Sequence, residues 1–172
     1  ELLLNKGLYE ESESALKKAL DKNPENLYAR ATLAHVLLLT GKFDGIIPLC
    51  EYFIDYYNGN EKLSAEDLLY IAQGCWILAD RSGDKETFHK VAGGNESILG
   101  EALTKDKNFY PALSFWGVCY LEKYNSKGAG GAFSDAVKIN SAHPMSRLGL
   151  IISIIEQSQG MEVSIDTAIL YA

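Results

Sequence analysis

The sequence predicts an all-α fold built from antiparallel helix pairs repeated along the chain. Three observations carry this reading. Apolar and small residues recur at helical spacing, as at Tyr9, Ser12, Ala15, Leu16, Ala19 and Leu20, the pattern of a helix with one buried face. Helix stops separate such stretches, among them Asn23-Pro24-Glu25-Asn26 and Asn140-Ser141-Ala142-His143-Pro144. Proline cannot continue a helix and biases its predecessor away from helical angles. The chain also repeats itself: Gly41 lies 34 residues after Gly7, and Phe43 lies 34 after Tyr9. A fixed period of this length marks an array of supersecondary units.

Taken in order, Glu1 to Leu4 reads as the last turns of a helix, broken at Asn5-Lys6-Gly7, where glycine supplies the turn cheaply. Tyr9 to Lys22 is the returning helix. Leu27 to Thr40 is the next, Gly41-Lys42-Phe43-Asp44 turns, and Gly45 to Tyr57 returns, with Pro48 at its first turn or just beyond. Ser64 can cap a helix from Ala65, with Asp67 at the acid position of a capping box. Leu68 to Asp80 is apolar on most sides around Trp76, and Arg81-Ser82-Gly83-Asp84 ends it.

The stretch from Glu61 to Phe109 is 49 residues long where 34 would suffice. Its surplus falls between Gly83 and Glu101, and Gly93-Gly94-Asn95 predicts two short helices or a disordered link there. Glu101-Ala102-Leu103-Thr104-Lys105-Asp106 then parallels Lys18-Ala19-Leu20-Asp21-Lys22-Asn23. Tyr110 opens another pair. Gly128-Ala129-Gly130-Gly131 stands at the start of its second helix, and each glycine costs roughly 1 kcal/mol in a helix interior, so a late start is expected. Pro144 opens a helix to about Ser158, and Met161 to Ala172 begins a returning one. Both ends of the chain are expected to cut through a repeat.

Composition excludes several functions. The 172 residues are 47% hydrophobic and 23% charged, with a net charge of -7. Nucleic-acid affinity comes mostly from Lys and Arg neutralising phosphates, so no nucleic acid is expected, and an anionic membrane surface is no better a partner. Leu148 to Ile155 is the longest apolar run, far short of a membrane span, so no membrane insertion is expected. No methionine or signal peptide opens the chain, which predicts a fragment whose compartment is hidden. Cys50, Cys75 and Cys119 are odd in number, far apart and set in apolar runs. They read as buried free thiols, with neither a disulfide framework nor a metal site.

The sequence also lacks a catalytic constellation. His35, His89 and His143 are scattered, with no His-Glu-x-x-His pair. There is no Gly-x-Ser-x-Gly elbow. The Gly128 to Gly131 run follows a helix, and no Gly-Lys-Ser/Thr comes after it, so close helix packing or a flexible corner is a better account than a phosphate loop. Glu10-Glu11 and Glu66-Asp67 stand at helix starts, where they favour the dipole. The segment is therefore read as non-enzymatic and without a cofactor.

Leu113-x2-Trp116-Gly117-x2-Tyr120, followed by Ala129-x3-Phe133-x2-Ala136, resembles the tetratricopeptide repeat (TPR), and Gly7, Tyr9, Leu16, Ala19 and Pro24 resemble its second half. The resemblance implies a right-handed α-solenoid of antiparallel helix pairs, truncated at both ends. It implies a single array over 1–172 with units at 1–26, 27–60, 61–109 with an insertion, 110–143 and 144–172. Trp116 and Gly117 then report packing between helices.

The family lines its groove with the first helix of each unit. Projected here, this implies a partner-binding groove of Tyr28, Ala31, Thr32, His35 and Leu38, then Gln73, Ile77 and Asp80. Ser114, Phe115, Val118 and Glu122 follow, then Leu148, Ile152 and Ile155. The lysines, arginines and asparagines with which some family members grip acidic chaperone tails are missing from these places.

The implied function is non-catalytic binding of a protein or peptide on the concave face, as a scaffold. A narrower resemblance joins Leu63-Ser64-Ala65-Glu66-Asp67 and Leu121-Glu122-Lys123-Tyr124-Asn125 to the TPR regions of bacterial, planctomycete-type proteins that carry a metallopeptidase-like domain. It implies a recognition or assembly arm with the zinc motif beyond Ala172; the compartment stays unassigned, the bacterial cytoplasm and the cell envelope both being open to a soluble segment. A third expectation is an oligomerisation module, self-associating through the truncated ends. The helix from Pro144 is hydrophobic almost all round and must be covered, most simply by further repeats and alternatively by a partner or self-association.

Overall fold

The computed structural model describes residues 2–158. It divides into two compact units, one ending at Ile98 and the other beginning at Leu99. The first holds α1 (Leu2–Asn5), α2 (Tyr9–Lys22), α3 (Leu27–Leu39), a 3-10 turn (Phe43–Gly45), α4 (Ile46–Gly59), α5 (Ala65–Ser82) and α6 (Lys85–Ala92). Helix α7 (Ile98–Lys105) spans the boundary, and the second unit continues with α8 (Tyr110–Glu122), α9 (Ser126–Ile139) and α10 (Pro144–Gln157). Among the described residues there is no strand. The fold is all-α and built from helix pairs. The returning helix expected from Met161 lies outside the described residues.

One turn design recurs. At four helix ends among the described residues, the amide after a left-handed residue donates to the carbonyl five residues back. The bonds are Leu8 N to Leu3 O at 2.9 Å, Lys42 N to Leu37 O at 2.9 Å, Asp84 N to Ala79 O at 3.1 Å and Asn125 N to Tyr120 O at 2.9 Å. This is the Schellman arrangement, which satisfies an orphan helix carbonyl and requires positive φ at its pivot. Glycine occupies that pivot three times, as Gly7, Gly41 and Gly83 with φ of 72°, 71° and 69°. The fourth pivot is Tyr124, with φ of 57° and 94% exposure. A left-handed L-residue costs roughly 1–2 kcal/mol, part of which glycine returns as unfolded-chain entropy. Tyr124→Gly is therefore expected to stabilise the second unit by about 0.5–1 kcal/mol. A urea melt followed by Trp116 fluorescence, in a Trp76→Phe background, reads this directly. No gain would show that the pivot is unstrained.

Helix starts are capped by side chains. The Asn26 carbonyl accepts from Ala29 N at 2.9 Å, and the Asp84 carboxylate accepts from Glu86 N at 2.9 Å. The expected capping box is complete: Ser64 Oγ accepts from Asp67 N at 3.1 Å, and the Asp67 carboxylate accepts from Ser64 N at 3.0 Å. Pro48 is the third residue of α4, where its missing N–H leaves no helical bond unmade. The Gly93-Gly94 interruption separates two short helices, α6 and α7.

The late start expected for the helix after Asn125 is corrected. Helix α9 begins at Ser126 and includes the whole Gly128 to Gly131 run. The Asn125 carbonyl accepts from Gly128 N at 3.0 Å, Ser126 Oγ donates to the Glu156 carboxylate at 2.6 Å, and Gln157 Nε2 donates to Ser126 O at 2.9 Å. These bonds hold the first turn onto α10. A Cβ at Gly130 would meet Gln157 at 3.0 Å and Ser153 at 3.5 Å, so the small residue serves the helix contact, and this outweighs its poor propensity.

Each unit has its own apolar centre. In the first, Leu16, Leu33, Ala34, Val36, Leu37, Ile46 and Cys50 cluster between α2, α3 and α4, with Ile77 and Leu78 of α5 packed against them. Phe53 is fully buried against Gly74, and Trp76 meets Phe88 edge-on at 4.6 Å, seating α6 on α5. In the second, Phe133 of α9 is 1% exposed and clusters with Ala129 and Leu150.

Candidate functional site

In the first unit, α3 and α5 pack together and share an open face. Along α3, Tyr28, Thr32, His35 and Leu39 recur at helical spacing. Tyr28 and Thr32 are half-buried, and His35 and Leu39 are exposed. Along α5 the matching row is Glu66, Tyr70, Gln73, Ile77 and Asp80, exposed at its two ends and half-buried between. The rows are joined where Tyr28 and Tyr70 meet edge to face, ring centroids 5.5 Å apart. The Tyr70 hydroxyl donates to the Glu66 carboxylate at 2.7 Å. The face is aromatic near the helix starts, polar around Thr32, His35 and Gln73, and mixed aliphatic and acidic at Leu39, Ile77 and Asp80.

Among the residues projected from the sequence, Ala31 is only 3% exposed and belongs to the packed side of α3. Leu38 and Ile77 are half-buried and touch the core cluster. Tyr70, Glu66 and Leu39 belong to the open face although the projection did not name them. Burial of Leu68, Leu69, Ile71, Ala72, Cys75, Trp76 and Ala79 makes α5 apolar nearly all round. Its outward register is therefore hard to read from hydropathy; the i, i+4 pair of Glu66 and Tyr70 was the signal available.

In the second unit the first helices are α8 and α10. Ser114 is 5% exposed and Phe115 half-buried. Val118 packs against the cluster of Ala129, Phe133 and Leu150, and Glu122 is exposed at the end of α8. Helix α10 turns Ser146, Gly149, Leu150 and Ser153 inward. Its outward stripe is apolar: Met145, Leu148, Ile152 and Ile155 are 54%, 51%, 37% and 49% exposed. Leu148 and Ile152 thus share one face, as projected residues of one helix.

His143 holds the start of α10. Its Nδ1 accepts from Ser146 N at 3.3 Å and lies 2.7 Å from Ser146 Oγ, with the ring edge-on to Tyr110 at 5.0 Å. The cap needs a neutral Nδ1. Burial lowers the ring's pKa from its ordinary value, so the unfolded chain binds more protons in that range and stability rises with pH. Between about pH 7 and 5 the second unit is expected to lose stability as His143 is forced to charge. His143→Asn keeps a capping carbonyl and should flatten that part of the pH profile in thermal melts. An unaltered profile would remove His143 from this account.

The three cysteines are free and buried. Burial pushes the Cys50 and Cys75 thiols up to about 12 and Cys119 well above its usual value, which disfavours the reactive thiolate. No group of three or more His, Cys, Asp or Glu among the described residues could hold a metal ion. No helix among them is long and apolar enough to cross a membrane.

Residues 3–45, covering α2, α3 and the turn after them, match the tetratricopeptide repeat family model. A thermophilic TPR protein of Thermus thermophilus, TTC0263, superposes with a TM-score of 0.71 at 17% identity, over 99% of this chain and 82% of that one. The chain has the tetratricopeptide-repeat fold. Two further neighbours extend the likeness. MamA superposes with a TM-score of 0.56 at 15% identity, covering 98% of this chain and 87% of its own. YrrB, characterised as a TPR protein with an unusual peptide-binding site, gives 0.54 at 13% identity, covering 99% and 81%. No curated protein sequence matches the chain significantly. In TPR terms, Gly117 stands where a helix pair closes: a Cβ there would meet the Phe133 ring at 2.7 Å. The residues that carried the sequence resemblance are thus packing residues.

Proposed function

We propose that this TPR chain is a non-catalytic protein-binding scaffold, in which the first helix of each repeat presents a face that grips a protein or peptide partner. The repeats are those at 1–26, 27–60, 61–109, 110–143 and 144–172. The observation that carries the reading is the open face of α3 and α5, joined by Tyr28 and Tyr70. Half-buried Tyr28, Tyr70 and Ile77 lie in the same rows as Thr32, His35 and Gln73, the kind of surface that anchors a peptide by apolar contacts and fixes it with a few polar ones. The fold likeness to YrrB adds a TPR neighbour with a peptide-binding site. The net charge of -7 argues against a nucleic-acid partner. Placing acidic side chains on this face at Thr32 and His35 tests the reading, with loss of partner retention expected.

A second reading is favoured by one feature, the exposed apolar stripe of Met145, Leu148, Ile152 and Ile155. Contiguous exposed apolar surface of this kind marks contact sites, and here it suits self-association. Sedimentation velocity over a hundredfold concentration range separates the readings. A dimer abolished by Leu148→Glu supports oligomerisation, and a monomer throughout discards it.

A further inference from the structure

The open face of α3 and α5 carries charge of one sign. In its two rows the charged side chains are Glu66 and Asp80, both exposed, and neither row holds a lysine or arginine. The only cations of the two helices are Arg30 and Arg81, and both are engaged on other rings. The Arg30 guanidinium lies 3.7 Å over Tyr52 of α4, and that of Arg81 lies 4.2 Å over Phe43 of the turn after α3. Among the described residues, the ion pairs engage other carboxylates: Glu13, Glu86, Glu101 and Asp135. Glu66 and Asp80 thus present negative charge that no neighbouring cation offsets.

The two carboxylates differ in setting. At the helix starts, the Tyr28 and Tyr70 rings meet at 64°, and the Tyr70 hydroxyl holds the Glu66 carboxylate at 2.7 Å. That bond uses one of several acceptor sites on the carboxylate. Ring surface beside a positioned carboxylate suits a guanidinium, which stacks its flat side on an aromatic ring and gives its N–H groups to the oxygens. Asp80 stands near the other end, in line with Leu39 and Ile77. Fourteen residues of helix separate it from Glu66, about 21 Å at 1.5 Å each. An extended chain covers that distance in about six residues. Between the two lie Thr32, His35 and Gln73, which offer hydrogen bonds to a backbone.

We propose that the segment taken up by the α3–α5 face is basic and extended. One arginine sits at the Tyr28–Tyr70 corner against Glu66, and a second basic residue about six positions along sits against Asp80. This rests on the reading of that face as the binding surface and names the chemistry of its partner. The stretch between the two cations is uncharged. A carboxylate introduced beneath it, at Thr32 or His35, would be desolvated with no cation beside it, so those substitutions still oppose binding.

The test uses the full chain and a dye-labelled peptide with blocked termini, Gly-Arg-Ser-Gly-Leu-Gly-Ser-Arg-Gly, followed by fluorescence anisotropy. Saturable binding is expected, weakened about fivefold or more when both peptide arginines become citrulline, which keeps their shape without the charge. The Glu66→Gln, Asp80→Asn double variant should weaken it as much. Glu51→Gln with Asp55→Asn makes the same change in net charge at exposed positions of α4 and should leave binding unchanged. No binding at millimolar peptide, or binding indifferent to citrulline, overturns the proposal. Equal weakening by the α4 pair shows attraction to net charge alone and also overturns it. The face itself is judged separately, by proteins retained from the source cell. If those are lost from the Thr32→Glu, His35→Glu chain while the arginine peptide does not bind, the face stands and the basic segment falls.

Discussion

Phe133→Ala is expected to cost the second unit about 3–5 kcal/mol, which would leave it largely unfolded in mild denaturant. Phe133 is 1% exposed and lies on α9 between two glycines of the flanking first helices, Gly117 on α8 and Gly149 on α10. A Cβ at Gly117 would stand 2.7 Å from the ring, and one at Gly149 would stand inside van der Waals contact with it. One side chain therefore sets both helix spacings, and its loss leaves a cavity that two helices must collapse to fill. Gly149→Ala should destabilise the same unit by roughly 1–3 kcal/mol through overpacking. Combining Gly149→Ala with Phe133→Leu should be less harmful than the two singles added, because the smaller side chain makes room. Trp116 fluorescence in a Trp76→Phe background follows the unit. Strict additivity of the pair would contradict the proposed wedge.

In the first unit, Gly74→Ala is expected to destabilise although alanine is the better helix former by about 1 kcal/mol. Phe53 is fully buried, and its ring lies where the new methyl would go, with Cγ 2.7 Å from the added Cβ. Overpacking of this kind costs typically about 1–3 kcal/mol, so a net loss is predicted and the α4–α5 contact is where it is felt. Phe53→Leu in the same chain should recover part of it. Melting followed by Trp76 fluorescence in a Trp116→Phe background checks both. A more stable Gly74→Ala variant would show that α4 and α5 are not held at the spacing described.

Some elements were legible in the sequence and others were not. The helix from Tyr9 to Lys22 could be read to the residue because an apolar stripe ends in Asn23-Pro24. The turns at Gly7 and Gly41 could be read because glycine is the cheap pivot of a Schellman end. The same turn at Tyr124 could not, since a tyrosine gives no local sign of positive φ. Nor could the start of α9: its glycines argue against a helix by propensity, while the bonds from Ser126 and Gln157 to neighbouring elements hold it in place. His143 was read only as part of a stop, because histidine seldom serves as a cap; burial beside Tyr110 suits it to that role here.

The proposed face was partly legible. On α3, exposed His35 interrupts a largely apolar run and marks the outward side. On α5, burial nearly all round hides the register, and Tyr70 emerges through its ring contact with Tyr28. The family resemblance placed Ala31 and Ser114 in the same groove, although both are buried.

The central claim is that the α3–α5 face binds a protein partner. Its most direct measurement is retention of proteins from the source cell by the immobilised full chain, comparing wild type with Thr32→Glu, His35→Glu together and with Glu51→Gln, an exposed change on α4. Helical circular dichroism of all three should agree. The account predicts that proteins held by wild type and by Glu51→Gln are lost from the double variant. Retention of the same proteins by the double variant would contradict it.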